Sequence, residues 1–172
     1  MTNQAASAEA PAMPEAIPFY VEDMLAAAKS ATGLSDFGDM GFTTGLEILC
    51  NSLRNEANLH EGGVIGQGQE ILRLLVNRLR YIDDVKRHPE IRDEKIVAPI
   101  VVVGLPRTGT SKLQRVMSGD PDVQRLEVWR LLNPAPFPDE EAGNPVGRIE
   151  FGKIIEDTFR TQFPGWMARH PM

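Results

Sequence analysis

The stretch "PIVVVG" at 99–104 restricts the fold of this chain more than any other. Within "KIVAPIVVVG", 95–104, β-branched residues follow one another with no polar alternation, the pattern of a strand covered on both faces. Such a strand needs neighbours along its edges and helices above and below it, so the expected fold class is α/β, a parallel sheet flanked by helices. One further segment, "VQRLEVW" at 123–129, reads as a short and weaker strand. Two strands do not make a stable sheet. The simplest resolution is that the chain is the front part of a longer protein, its fold incomplete as it stands. A homodimer completing the sheet between copies is the second solution.

The residues after the strand carry the chemistry. In "GLPRTGTS", 104–111, a strand leaves through a glycine-bearing turn into a helix. That geometry gathers successive backbone N–H groups and the positive end of a helix dipole at one point, which is an anion site. Gly109 admits an unusual backbone conformation, and Thr110 and Ser111 add hydroxyl donors. The phosphate-loop spacing G-x-x-x-x-G-K-[ST] is met at Gly104, Gly109 and Ser111, but Thr110 stands where the lysine belongs. That lysine reaches the β- and γ-phosphates of a nucleoside triphosphate, so its replacement argues against ordinary ATP or GTP hydrolysis. Lys112 lies two residues further into the helix and points elsewhere. Arg107, inside the turn, offers a planar fork of donors to an anion.

Upstream the pattern is helical. Residues 1–18 are rich in Ala, Pro and Glu and read as a tail. Residues 19–95 read as a helical leader. Its first helix starts at Pro18 and ends at a Gly33 C-cap. Its second starts near Thr44, with Thr44 and Glu47 at capping-box spacing, and lines up Leu46, Leu49, Cys50, Leu53 and Ala57. Its third covers about residues 67–84, with Ile71, Leu72, Leu75, Val76, Leu79 and Ile82 on one face. "VKRHPEIRDEK" reads as a solvated linker. Residues 96–172 read as the start of the α/β domain, closing with a helix whose core candidates include Ile149, Ile155 and Phe159.

A formal net charge of -6 leaves no basic footprint for nucleic acid, while a local nest of donors still suits a small anion. The single cysteine, Cys50, fits a reducing compartment and a buried apolar position. No stretch approaches the roughly 20 apolar residues of a membrane span, and a cytoplasmic protein without membrane partners is expected. His60, His88 and His170 have no paired ligand spacing, so no metal is expected; His170 is a candidate base only if the fold carries it over the loop. "EGGVIGQGQE" lacks a preceding strand and the full dinucleotide spacing, and reads as a helix entry. Trp129 and Trp166 read as core or rim aromatics, with an acceptor pocket as the alternative.

The segment "PIVVVGLPRTGTSKLQRVMSGDPDVQRLEVWRLLNPAPFP" resembles the nucleotide-binding start of sulfotransferases that use 3′-phosphoadenosine 5′-phosphosulfate (PAPS), in the bacterial branch with a P-R-[ST]-G-T-[ST] loop. "TGLSDFG" and the terminal "HPM" are similar to that branch as well. The resemblance implies a P-loop-like sulfotransferase fold and transfer of a sulfuryl group from PAPS to a hydroxyl or amine acceptor, without a metal. It implies that Arg107 stabilises charge on the leaving phosphate, where many members carry lysine. It also implies that Thr108, Gly109, Thr110 and Ser111 cradle the 5′-phosphate. The family's 3′-phosphate pair and catalytic base have no counterpart that the sequence locates, and the acceptor is not named by it. Two alternatives stand beside this reading. One is a P-loop kinase-like phosphotransferase. The other is a truncated, non-catalytic protein whose helices associate through the face at 71–82.

Overall fold

The computed structural model describes residues 18–106, 108–138, 140–163 and 165. Six α-helices occur among them: α1 Val21–Thr32, α2 Phe42–Asn55, α3 Glu61–Arg87, α4 Thr110–Met117, α5 Val128–Leu132 and α6 Val146–Gln162, with a 3-10 turn at Pro89–Asp93. The chain divides into two compact units, 1–79 and 80–172.

The first unit is a helical core. α1 stops where expected: Gly33 is left-handed at φ 70° and returns its N–H to the Lys29 carbonyl, the helix-ending geometry glycine adopts at least cost. α2 begins at Phe42, ahead of the expected Thr44, with Gly41 at its N-cap and no side-chain cap. The Thr44–Glu47 spacing is therefore inside the helix and caps nothing. α3 takes in the glycines of "EGGVIGQGQE", and His60 Nδ1 accepts the Gly63 N–H at 3.2 Å at its start. That glycine-rich stretch is helix entry, as its spacing implies.

Met24, Ala28, Cys50, Ile71, Leu75 and Leu79 close the core with Phe19 and Phe37. Burying a side chain the size of Met24, Ile71, Leu75 or Leu79 stabilises by about 1.5–3 kcal/mol. Arg78 locks the rim: Nε donates to the Phe37 carbonyl at 2.8 Å, while the guanidinium lies 4.2 Å from the Phe42 ring centre. Burial pushes the Cys50 thiol pKa up, because the thiolate would be desolvated there.

The second unit differs from the sequence reading in one large respect. No β-strand occurs among its described residues, so the parallel sheet is not present there. The stretch at 95–104, expected to be buried on both faces, is irregular and open: Ile96 is 86% exposed, Val101 76% and Val103 85%. The physical reason is that an extended segment acquires ladder hydrogen bonds and covered faces only from neighbours distant in sequence. The weaker strand at 123–129 is also absent, and its last residues enter α5. "VKRHPEIRDEK" is solvated along most of its length but seals Val85 inside.

α6 packs on α5 through a glycine. A Cβ on Gly152 would sit 3.0 Å from Trp129 Cβ, so the helices meet this closely because that side chain is a hydrogen. Ile149 and Ile155 are half-buried, whereas Phe159 is exposed and stacks on Phe163 at 5.5 Å rather than entering a core. Among the described residues no helix is long and apolar enough to cross a membrane.

Candidate functional site

The loop from Gly104 to Ser111 is folded by its own short-range contacts. The Leu105 carbonyl accepts two donors from Thr108, the hydroxyl at 2.7 Å and the N–H at 3.3 Å. This closes a turn whose interior admits no side chain at residue 104. A Cβ on Gly104 would meet Thr108 Oγ1 and Thr110 Cγ2, both at 2.8 Å. Gly109 then reverses the chain in the left-handed region, φ 92° and ψ 12°, where an L side chain is strained. Its carbonyl accepts the Leu113 N–H at 3.0 Å and starts α4.

α4 has no side-chain cap and no carboxylate in its first turn. The N–H groups of Thr110, Ser111 and Lys112 therefore lack intrahelical acceptors by helix geometry, and the positive end of the dipole is not neutralised. Thr110 is half-buried and Ser111 exposed, so both hydroxyls lie at the helix mouth. Thr108 has a different place from the one expected of it: its hydroxyl proton already serves the Leu105 carbonyl. Arg107 lies outside the described residues. Lys112 and Arg115 are exposed on α4.

The sequence reading singled out none of the ion pairs around Trp129. Trp129 Nε1 donates to Glu127 Oε2 at 2.8 Å, and Arg125 holds the other oxygen at 3.0 Å. These donors, the indole first, pull the Glu127 carboxyl below its ordinary range. The guanidiniums of Arg130 and Arg148 lie 4.9 and 5.0 Å from the indole centre. Arg148 also pairs with Glu140 at 2.7 Å, both nearly buried, and donates to the Asn133 and Pro134 carbonyls at 3.2 Å. One arginine thus fastens the proline-rich stretch 133–140 to α6. No spacing signal announced it, since the partners are eight residues apart across an irregular loop.

The other candidates are dispersed. His60 works at the start of α3 and His88 Nδ1 sits 3.2 Å from Glu90. His170 and Trp166 lie outside the described residues. Among the described residues no group of three His, Cys, Asp or Glu side chains is placed to hold a metal ion.

No protein-family model matches the sequence, and no curated protein matches it. Solved structures do. The sulfotransferase STF1 of Mycobacterium tuberculosis H37Rv is similar over 92% of this chain and 42% of its own, at 30% identity and a TM-score of 0.67. The sulfotransferase STF9 of Mycobacterium avium is similar over 67% of this chain and 30% of its own, at 26% identity and a TM-score of 0.63. Both likenesses support a bacterial sulfotransferase-like family, the one its loop resembles. The chain spans less than half the length of either protein, which fits the expectation that it corresponds to a portion of such a fold.

Proposed function

We propose that this chain carries the donor-binding loop of a PAPS-dependent sulfotransferase. The observation that carries the reading is the Gly104–Ser111 loop, in which a left-handed Gly109 opens an uncapped helix with no first-turn carboxylate. The likeness to STF1 and STF9 supports it at the level of reaction class.

In sulfuryl transfer the acceptor oxygen or nitrogen forms a bond to sulfur as the bond from sulfur to the bridging phosphate oxygen breaks. The electron pair of that bond stays with the departing nucleotide, and the acceptor proton passes to a base. Donors fixed around the departing phosphate lower this barrier, because charge grows there in the transition state. Thr110 and Ser111, with the first N–H groups of α4, take that role. Arg107 adds a full positive charge, which keeps the electrostatic benefit of a lysine but makes a poor proton donor. No step in this scheme needs a metal. Thr110 at the lysine position counts against a kinase-like phosphotransferase. Burial of Ile71, Leu75 and Leu79 in the first unit's core counts against association through that face.

The test is calorimetric titration with adenosine 3′,5′-bisphosphate in the presence of chelator, with Mg-ATP in parallel. Saturable binding to the bisphosphate, weakened at least tenfold by Arg107→Ala, is the expected result. Preference for Mg-ATP would replace this reading with the phosphotransferase.

A further inference from the structure

α4 does not end its usefulness at the loop. Ser111, Gln114, Arg115 and Ser118 fall on one face of it by helical spacing, and the last three line a cleft closed by residues 125–129 and α6. The cleft encloses about 510 Å³, within the roughly 300–1,000 Å³ typical of small-molecule sites. Ser111 and Arg115 are separated by about 6 Å along the helix axis at 1.5 Å per residue, so the cleft follows the face that begins at the phosphate loop.

Its walls are mixed in an ordered way. Leu126, Val128, Trp129 and Ile149 form an apolar side. Both carboxylates in the lining already have partners: Glu127 holds Arg125 and the Trp129 indole, and Glu156 is paired with Arg160. Lys153, one turn beyond Ile149 on α6, lines the cleft and has no ion pair among the described residues. An apolar wall beside an unneutralised ammonium selects a ligand with an apolar body and an acidic head.

We propose that this cleft is a ligand site, separate from the phosphate loop, for an amphiphilic organic anion, with Lys153 as its charge anchor. Taking that ligand to be the sulfuryl acceptor rests on the proposed function; its binding does not.

Naphthalene-2-sulfonate and uncharged 2-naphthol are suitable probes, titrated calorimetrically into the full chain. The sulfonate is expected to bind saturably and 2-naphthol more weakly. Lys153→Glu, an exposed surface change, is expected to weaken the sulfonate about five- to tenfold, the scale of reversing one partly solvated charge. Lys153→Arg is expected to retain binding, and Arg107→Ala and saturation with adenosine 3′,5′-bisphosphate are expected to leave it unchanged. Equal binding of both probes, no saturable sulfonate binding, or indifference to Lys153→Glu would overturn the proposal. Displacement by the bisphosphate would overturn the separateness of the two sites. If the bisphosphate fails to bind anywhere while the sulfonate binds as described, the donor reading fails and the cleft stands.

Discussion

Residues 18–79 turn Met24, Cys50, Ile71, Leu75 and Leu79 inward, whereas the stretch from 96 to 131 leaves Ile96, Val101, Val103, Leu113 and Leu131 in solvent. Both regions are rich in large apolar side chains. The difference lies in how far each must reach for a partner. An amphipathic helix finds its neighbour a short loop away, so a core can close among consecutive helices. A β-branched run satisfies its backbone and its two faces only with strands and helices remote in sequence. The loop at 104–111 belongs, energetically, with the first kind: Thr108, Leu105 and Gly109 shape it with contacts no more than four residues apart. A local device of this type keeps its form while the stretch leading into it stays open.

Substitutions test that contrast directly. The largest effect is expected at the Arg148–Glu140 pair. Glu140→Gln leaves a nearly buried guanidinium without its counter-charge and should cost about 3–5 kcal/mol of the second unit's stability, read from urea denaturation curves. Leu79→Ala removes a fully buried side chain from the helical core and should cost about 2–5 kcal/mol. Val101→Ala, in the exposed run, should stay within about 0.5 kcal/mol of the parent. A Val101→Ala penalty as large as that of Leu79→Ala would mean the run is covered in solution, and the contrast would fail.

Effects smaller than those of Glu140→Gln and Leu79→Ala sharpen it. Gly109→Val forces a β-branched residue to φ 92° and should cost about 1–2 kcal/mol locally, while weakening bisphosphate binding far more than it lowers the unfolding midpoint. The smallest effect is electrostatic. Because the Glu127 carboxyl is held below its ordinary range, its hydrogen bond from Trp129 is complete above the usual carboxylate pKa. It is lost as pH falls through the lowered folded value. The Trp129 indole N–H resonance should therefore hold its position in mildly acidic buffer and shift only at lower pH, and Glu127→Gln should abolish that step.

Most helices were legible because their signals are local; α5, which begins inside an expected strand, was not. Gly33 marked the end of α1, and the apolar period marked α2 and α3. The turn at 104–111 was legible for the same reason, since Gly104 and Gly109 occupy positions where the backbone needs them. The strand expected at 99–103 is not formed among the described residues, because β-branched composition states a preference for burial without supplying what buries it. The Trp129 assembly was invisible because Trp129, Glu140 and Arg148 meet across an irregular loop that has no period. Thr108 shows a finer limit. Its type suits a phosphate donor, yet only coordinates reveal that its hydroxyl closes the turn on Leu105.

The central claim is that the N–H groups opening α4 form the anion nest. An amide-resolved NMR titration with adenosine 3′,5′-bisphosphate, without metal, addresses it most directly. The expected result is saturable displacement of the Gly109, Thr110, Ser111 and Lys112 amide resonances, with the helical core from Val21 to Leu79 unmoved. Binding that shifts resonances elsewhere and leaves those four amides in place would contradict the account.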